Sequence, residues 1–194
     1  MDKDYIVLAS QSPRRRQLLK DAGISFKVIK PDVVEEIMPE EKPADACVRL
    51  AQEKAENVAS SVPARTVLAA DTLVCIDGEI LGKPESEAQA AEMLAKLSGR
   101  SHWVITGVCL CRQSESKKCC WSSLTRVDFY DLTDADIKSY LKEVNTLDKA
   151  GAYAIQESGE MLVRNIEGLR SNVVGLPIEE VCDKLKIARP SAKN

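Results

Sequence analysis

The chain has only one histidine, His102, and none of its seven cysteines stands in a C-x-x-C pair. A zinc site needs paired cysteines at ligand spacing with further cysteine or histidine, so none is expected. A Ser-His-Asp or Cys-His nucleophile would have to recruit His102, which lies in an apparent strand and reads as a surface or strand-packing residue. Neither G-x-x-x-x-G-K-[ST] nor G-x-G-x-x-G occurs, which excludes the P-loop and dinucleotide-binding readings. No apolar run approaches the ~20 residues that a membrane span requires. The opening Met1-Asp2-Lys3-Asp4-Tyr5 is not a basic leader ahead of a long apolar region, so the expectation is a cytoplasmic protein with no membrane partner. The net charge of −3 gives no overall attraction for nucleic acid, although a local basic cluster can still hold a small anion. There is no internal repeat, low-complexity tract or linker.

What is present fits one domain of two closely joined lobes over the 194 residues, with a tail over 188–194. Apolar residues make up 44% and charged residues 29%, enough for a core and a solvated surface. Cys75, Cys109, Cys111 and Cys182 lie in apolar stretches and read as small core residues. Cys119 and Cys120 follow Lys117 and Lys118 and read as a variable hairpin tip.

Ile6 to Ala9 predicts a strand, and Ser12 followed by Pro13 opens a helix that Gly23 stops. A second strand follows over Phe26 to Ile29. Val48, Ala51, Ala55 and Val58 make a helical stripe within Ala44 to Ser60. Thr66 to Ala70 reads as a strand ending at Asp71-Thr72, with Leu73 to Ile76 extended and Asp77-Gly78 a hairpin turn. Ser86 and Gln89 form a capping box for a helix carrying Ala90, Leu94 and Leu97. His102 to Cys111 and Leu124 to Tyr130 read as a long hairpin. Thr133 caps a helix, a small-residue loop runs from Asp148 to Ile155, a strand lies near Met161 to Asn165, and Pro177 opens the last helix. Mixed elements with hairpins predict an α/β (mixed α+β) fold around a partly antiparallel sheet.

Three features carry chemistry. Ser10-Gln11-Ser12-Pro13-Arg14-Arg15-Arg16 places three arginines in a first helical turn, where the dipole disfavours cations by ~0.3–1 kcal/mol. Free N–H groups and guanidinium charge at such an end suit a phosphate. Asp71 ends an apolar strand, where a carboxylate can hold a metal or take a proton from water. Glu35-Glu36, Lys54 and Lys83-Pro84 add acids and cations on neighbouring elements. Cations for a polyphosphate, acids for a divalent ion and one base for water are what phosphoryl-type substitution requires.

The stretches Leu8-Ala9-Ser10-Gln11-Ser12-Pro13-Arg14-Arg15, Ala70-Asp71-Thr72, Gly82-Lys83-Pro84, Asp148 to Gln156 and Val174-Gly175-Leu176-Pro177 occur in order at family-like spacing. In this the chain resembles the Maf family of nucleoside triphosphate pyrophosphatases, from about Tyr5 to Leu185. The resemblance implies a fold similar to the inosine triphosphate pyrophosphatases, a curved mixed sheet flanked by helices with a cleft between two lobes. It also implies a cytoplasmic homodimer that uses magnesium, manganese or cobalt to release pyrophosphate from a nucleoside triphosphate. On that basis Asp71 is the general base and a metal ligand, Glu35 helps place the metal, Arg15, Lys54 and Lys83 bind phosphates, and Ser10 belongs to the phosphate loop. Arg14, Thr72 and Gln156 match the branch that favours dTTP and UTP rather than 7-methyl-GTP. A glutamine amide pairs with a pyrimidine edge through one donor and one acceptor. The family's name also raises a nucleotide-binding regulator of septum formation, and modified nucleotides are a further possible substrate class. Ala154 stands where the family commonly has glycine, a strained choice if that position needs positive φ.

Overall fold

The computed structural model describes residues 5–187, so the expected tail over 188–194 lies outside the described residues. In chain order the elements are β1 (Ile6–Leu8), α1 (Pro13–Asp21), β2 (Phe26–Val28), α2 (Pro43–Ala59), β3 (Val67–Ile76), β4 (Glu79–Leu81), α3 (Glu87–Leu97), β5 (Ser101–Arg112), β6 (Lys117–Phe129), α4 (Asp134–Glu143), β7 (Val163–Glu167), α5 (Arg170–Val174) and α6 (Ile178–Leu185). The sheet has the strand order β2-β1-β3-β5-β6-β7, with β4 paired to β3. β1 pairs in parallel with β2 and β3, whereas β3–β4 and β6–β7 are antiparallel, so the sheet is mixed as expected. Among the described residues no helix is long and apolar enough to cross a membrane.

The chain divides into two compact units. The first takes residues up to Asp71, Thr106–Ser123 and residues from Gly175 on. The second takes Thr72–Ile105 and Leu124–Val174.

In the first unit, alternation along the strands fills two cores. Leu8, Leu68, Ala70, Val108 and Leu110 pack with Leu19 of α1 and with Ile178, Val181 and Cys182 of α6. The intervening Val7, Ala9, Val67, Ala69, Cys109 and Cys111 pack with Ala51, Ala55, Val58 and Ala59 of α2. Period-2 side-chain alternation therefore puts α1 and α2 on opposite faces of strands that are buried on both sides. Alanines on α2 let its backbone lie close to the strands, and Gly107 is the point of closest approach. A Cβ there would stand 2.1 Å from the Cys47 carbonyl carbon and 2.4 Å from the Val48 nitrogen. A strand glycine facing backbone on the next layer marks such a contact.

The second unit is built on Val74, Ile76, Leu81, Leu94, Leu97, Val104, Val127, Phe129 and Tyr140. His102 is buried among them, with Nε2 2.7 Å from the Tyr153 hydroxyl and edge-to-face contacts to Phe129 and Tyr153. It is thus a strand-packing residue with a polar partner.

Several local expectations are corrected. β3 does not stop at Asp71 but runs on to Ile76, because the Asp77-Gly78 turn, both residues at positive φ, pairs Val74–Ile76 with β4. The β5–β6 hairpin is longer than its apolar stretches, with only Gln113–Glu115 in a 3-10 turn at its tip. Cys119 and Cys120 consequently lie within β6, and Cys120 forms a disulfide with Cys109, so neither of that pair is a solitary thiol. Ser86 caps the Gln89 N–H, but the Gln89 side chain accepts from Glu85 N–H, one residue outside a true capping box. Thr133 and Asp136 do form the reciprocal box. The five-residue α5 was not expected, being too short to show a helical period.

Replacing Gly107 by alanine should destabilise the protein by ~3 kcal/mol, because the methyl meets backbone on a packed helix that cannot yield; urea unfolding measures this. Burial lowers the pKa of His102 to about 4, against a smaller opposing effect of Asp128. The neutral ring is therefore the form that folds, and stability is fully present above the unfolded value of about 6.5. It should fall as pH drops from there towards 4, an acid loss of roughly 3 kcal/mol. Thermal melts of the wild type and His102→Gln between pH 7 and 4 should show the variant with the flatter profile.

Candidate active site

The first unit brings five of the expected residues together. Its β1–α1 and β2–α2 segments leave the C-terminal ends of parallel strands, and the order β2-β1-β3 means that the connections from β1 and from β2 run to opposite sides of β1, a switch in strand order between β1 and β3. Ligands of open α/β sheets bind outside the carboxyl ends of the strands at such a switch point. Because Leu8 pairs with Leu68, the chain after β1 and the Asp71 region of β3 lie at the same level. Asp71 is therefore inside a long strand yet just past the end of β1.

Ser10 opens the loop after β1 and is 6% exposed. Its hydroxyl oxygen accepts from Ser12 N–H at 3.2 Å and from Arg15 Nη1 at 3.1 Å. Ser12 is the N-cap of α1, with its side chain accepting from Arg15 N–H and Pro13 in the first turn. Arg15 Nε donates to the Gly175 carbonyl at 2.8 Å. Gly175 has φ 118, a conformation that side chains resist, which gives the Val174-Gly175-Leu176-Pro177 stretch a reason for its glycine. The guanidinium is thus fixed at both ends. Burial pulls its pKa below the ordinary arginine value, while Asp71 and Glu35 pull the other way. Arg14, its neighbour on α1, is half-buried and adds like charge.

Lys54, on α2, is 4% exposed and Asp71 7%. Lys54 Nζ lies 2.6 Å from Asp71 Oδ1 and 2.9 Å from Glu35 Oε2. One ammonium therefore joins a buried and a half-exposed carboxylate, and a charge withdrawn from water requires such partners.

A residue not singled out in the sequence holds this arrangement. Arg49, also on α2, forks onto Glu41 at 2.8 and 2.7 Å, meets Glu53 at 3.1 Å and donates to the Glu36 carbonyl at 2.9 Å. These bonds raise its pKa and lower that of Glu41, the Arg49–Glu41 hydrogen bonding being the leading cause in each case. Arg49 thus ties the segment after Glu35 to the helix that carries Lys54. The signal available in the sequence was the i,i+4 pair Arg49–Glu53; the reach back to Glu36 and Glu41 was not legible.

Thr72, Lys83 and Gln156 belong to the second unit. Thr72 follows Asp71 in β3 and is half-buried, while Lys83 is exposed and precedes buried Pro84. The Gly82 carbonyl accepts from Gly151 N–H at 3.0 Å, so the Gly82-Lys83-Pro84 stretch is joined to the small-residue loop. Gly151 has φ 68 and an added Cβ would press on Val74 at 3.0 Å, so glycine is required twice over. The strain expected at Ala154 is absent, since within this loop it is Gly151, φ 68, and Ala152, φ 61, that take the left-handed backbone. Gln156 is exposed directly after the buried run Gly151 to Ile155.

The family model described as "Maf-like protein" matches residues 5–188. A dTTP/UTP pyrophosphatase of Geobacter sulfurreducens is 46% identical over 186 residues, covering 96% of this chain and 97% of that one. A dTTP/UTP pyrophosphatase of Clostridioides difficile is 45% identical over 181 residues, covering 93% of each. Among solved structures, a HAM1 protein from Coxiella burnetii overlaps 64% of this chain and 72% of its own, at 17% identity and a TM-score of 0.44. With the match running almost end to end, the chain belongs to the Maf family.

Proposed function

We propose that this protein is a nucleoside triphosphate pyrophosphatase that hydrolyses dTTP and UTP to the nucleoside monophosphate and pyrophosphate. The observation that carries the reading is the Lys54 ammonium held between Asp71 and Glu35, in the same unit as the Ser10–Arg15 loop. Relatives of that name at 45–46% identity, covered over nearly their whole length, support the substrate class.

The chemistry follows from the side chains. Ser10, the positive end of the α1 dipole and the Arg15 guanidinium take the phosphates. Asp71 accepts a proton from water, the water oxygen bonds to phosphorus, and the bond to the departing pyrophosphate oxygen breaks. Lys54 orients the Asp71 carboxylate and offsets charge on the phosphoryl oxygens. Lys83 is a further phosphate-binding cation. Gln156, with Arg14 and Thr72, selects the pyrimidine. Its amide matches a base edge that offers one donor and one acceptor, and a mismatched base leaves polar groups unpaired.

Arg15 and Lys54 balance Glu35 and Asp71 in charge, so the negative charge of a triphosphate calls for a further cation. Glu35 and Asp71 are hard oxygen donors of the kind that hold magnesium or manganese through one or two carboxylates while substrate phosphates complete the shell. Among the described residues no group of three or more acids, cysteines or histidines converges as a protein-only cage. Residues and ion therefore fit, with Glu35 and Asp71 as the holders. Bound there, the ion neutralises phosphate charge and lowers the pKa of a water molecule.

Purified protein with magnesium should convert dTTP to dTMP and pyrophosphate, read by chromatography; diphosphate and orthophosphate as products would sink the reading. Asp71→Asn keeps the shape and removes the base, so kcat should fall by ~10²–10⁴-fold; it also takes one partner from buried Lys54, so the melting temperature should drop while circular dichroism still reports a folded protein. Near-normal turnover in that folded variant removes Asp71 from the role. Chelation by EDTA should abolish turnover. Without nucleotide, calorimetric titration of magnesium should show only weak binding, since among the described residues no third acid, cysteine or histidine joins Glu35 and Asp71.

A further inference from the structure

The small-residue loop of the second unit ends in an exposed glutamine, and three side chains from elsewhere in that unit pin it. Tyr140 of α4 accepts from Ala154 N–H at 2.9 Å and returns its hydroxyl to the Ala154 carbonyl at 3.4 Å. His102 meets Tyr153 at 2.7 Å. Arg170 donates to the Ile155 carbonyl at 3.3 Å. These hold the middle of the loop, at residues 153–155.

The two ends of the loop are joined by a single ammonium. Lys149 is 4% exposed, although lysine is among the residues least often buried. Its Nζ donates to the Asn145 carbonyl, lies 2.8 Å from Asp148 Oδ1 and 3.3 Å from Glu157 Oε2. Asp148 begins the loop and Glu157 directly follows Gln156. All the partners are oxygens, as the three donors of an ammonium require. A buried charge so satisfied is costly to break, because removing the lysine leaves two carboxylates facing each other.

Resting on the reading of Gln156 as the base-selecting residue, we infer that Lys149 is a positioning residue for substrate selection. It touches no substrate. By closing Asp148 onto Glu157 it fixes the backbone on either side of Gln156 and so sets the direction in which that amide is presented. Selection by polar groups depends on such placement, since a displaced amide no longer distinguishes a matching edge from a wrong one. The sequence alone gives no hint of this: the lysine is flanked by Asp148, but its link to Glu157 closes a loop.

The test compares wild type, Lys149→Met, Lys149→Arg and Glu157→Gln on dTTP, UTP, CTP and GTP, with pyrophosphate release giving kcat and KM separately. Lys149→Met should raise KM for dTTP and UTP about tenfold and reduce the preference for dTTP over GTP by about tenfold, with kcat falling far less. Lys149→Arg should recover most of the preference. Glu157→Gln, which keeps the lysine and frees only one arm, should shift KM in the same direction by a smaller factor, and it carries the test if Lys149→Met does not fold. Amide exchange of residues 150–157, measured without nucleotide, should quicken in Lys149→Met. Unchanged exchange, together with wild-type KM and base preference, overturns the inference. Failure of the wild type itself to release pyrophosphate from any of the four overturns instead the functional reading beneath it.

Discussion

The first unit is organised around one buried contact, the Lys54 ammonium against the Asp71 carboxylate at 2.6 Å. Both groups are almost out of water, and neither can stay charged there alone. Their meeting requires α2 to lie close on β3, which explains why its inward stripe is Ala51, Ala55 and Ala59 rather than larger residues. It also explains why β5 has no side chain at Gly107, directly beneath the Cys47–Val48 backbone. Glu35 joins from a segment with no regular structure, and Arg49 supplies the rigidity that segment lacks. Chemistry, packing and a glycine in a neighbouring strand are thus parts of one requirement.

How much of this was legible depended on how local each signal is. The start of α1 could be read from Ser12 and Pro13, because an N-cap and its first proline act within one turn. The stripe on α2 could be read because burial repeats every third or fourth residue. The end of the strand at Asp71 could not, since the polar pair Asp71-Thr72 resembles a turn while pairing with β4 carries the strand onward. Candidate residues were found as types: Ser10, Arg15, Lys54 and Asp71 drew attention as an arginine-bearing helix start, a stripe neighbour and an acid beside apolar residues. That Arg15 is held by Gly175, 160 residues away, is a long-range fact with no local trace. The same holds for Cys109 and Cys120, whose apolar and polar surroundings suggested different fates.

Glycine and alanine in the small-residue loop illustrate how pattern and conformation part company. A family-typical glycine drew suspicion to Ala154, yet the backbone turns left at Gly151 and Ala152 instead. Ala152 is an L-residue in that region, a choice that costs of order 1 kcal/mol and persists only where surroundings enforce it. Here the surroundings are the Gly82 carbonyl, the Tyr140 hydroxyl and the core about Val74. The loop is a rigid platform built from small residues because they fit against buried strands, with flexibility no part of their purpose.

The hydroxyl of Ser10 accepts from the Ser12 amide and from the Arg15 guanidinium. An alcohol oxygen has two lone pairs and one hydrogen. With both pairs occupied, that hydrogen is the sole valence left to face outward, so Ser10 greets an incoming molecule as a donor only. The loop is thereby polarised before anything arrives, welcoming oxygens rich in electrons and turning away groups that bring protons of their own.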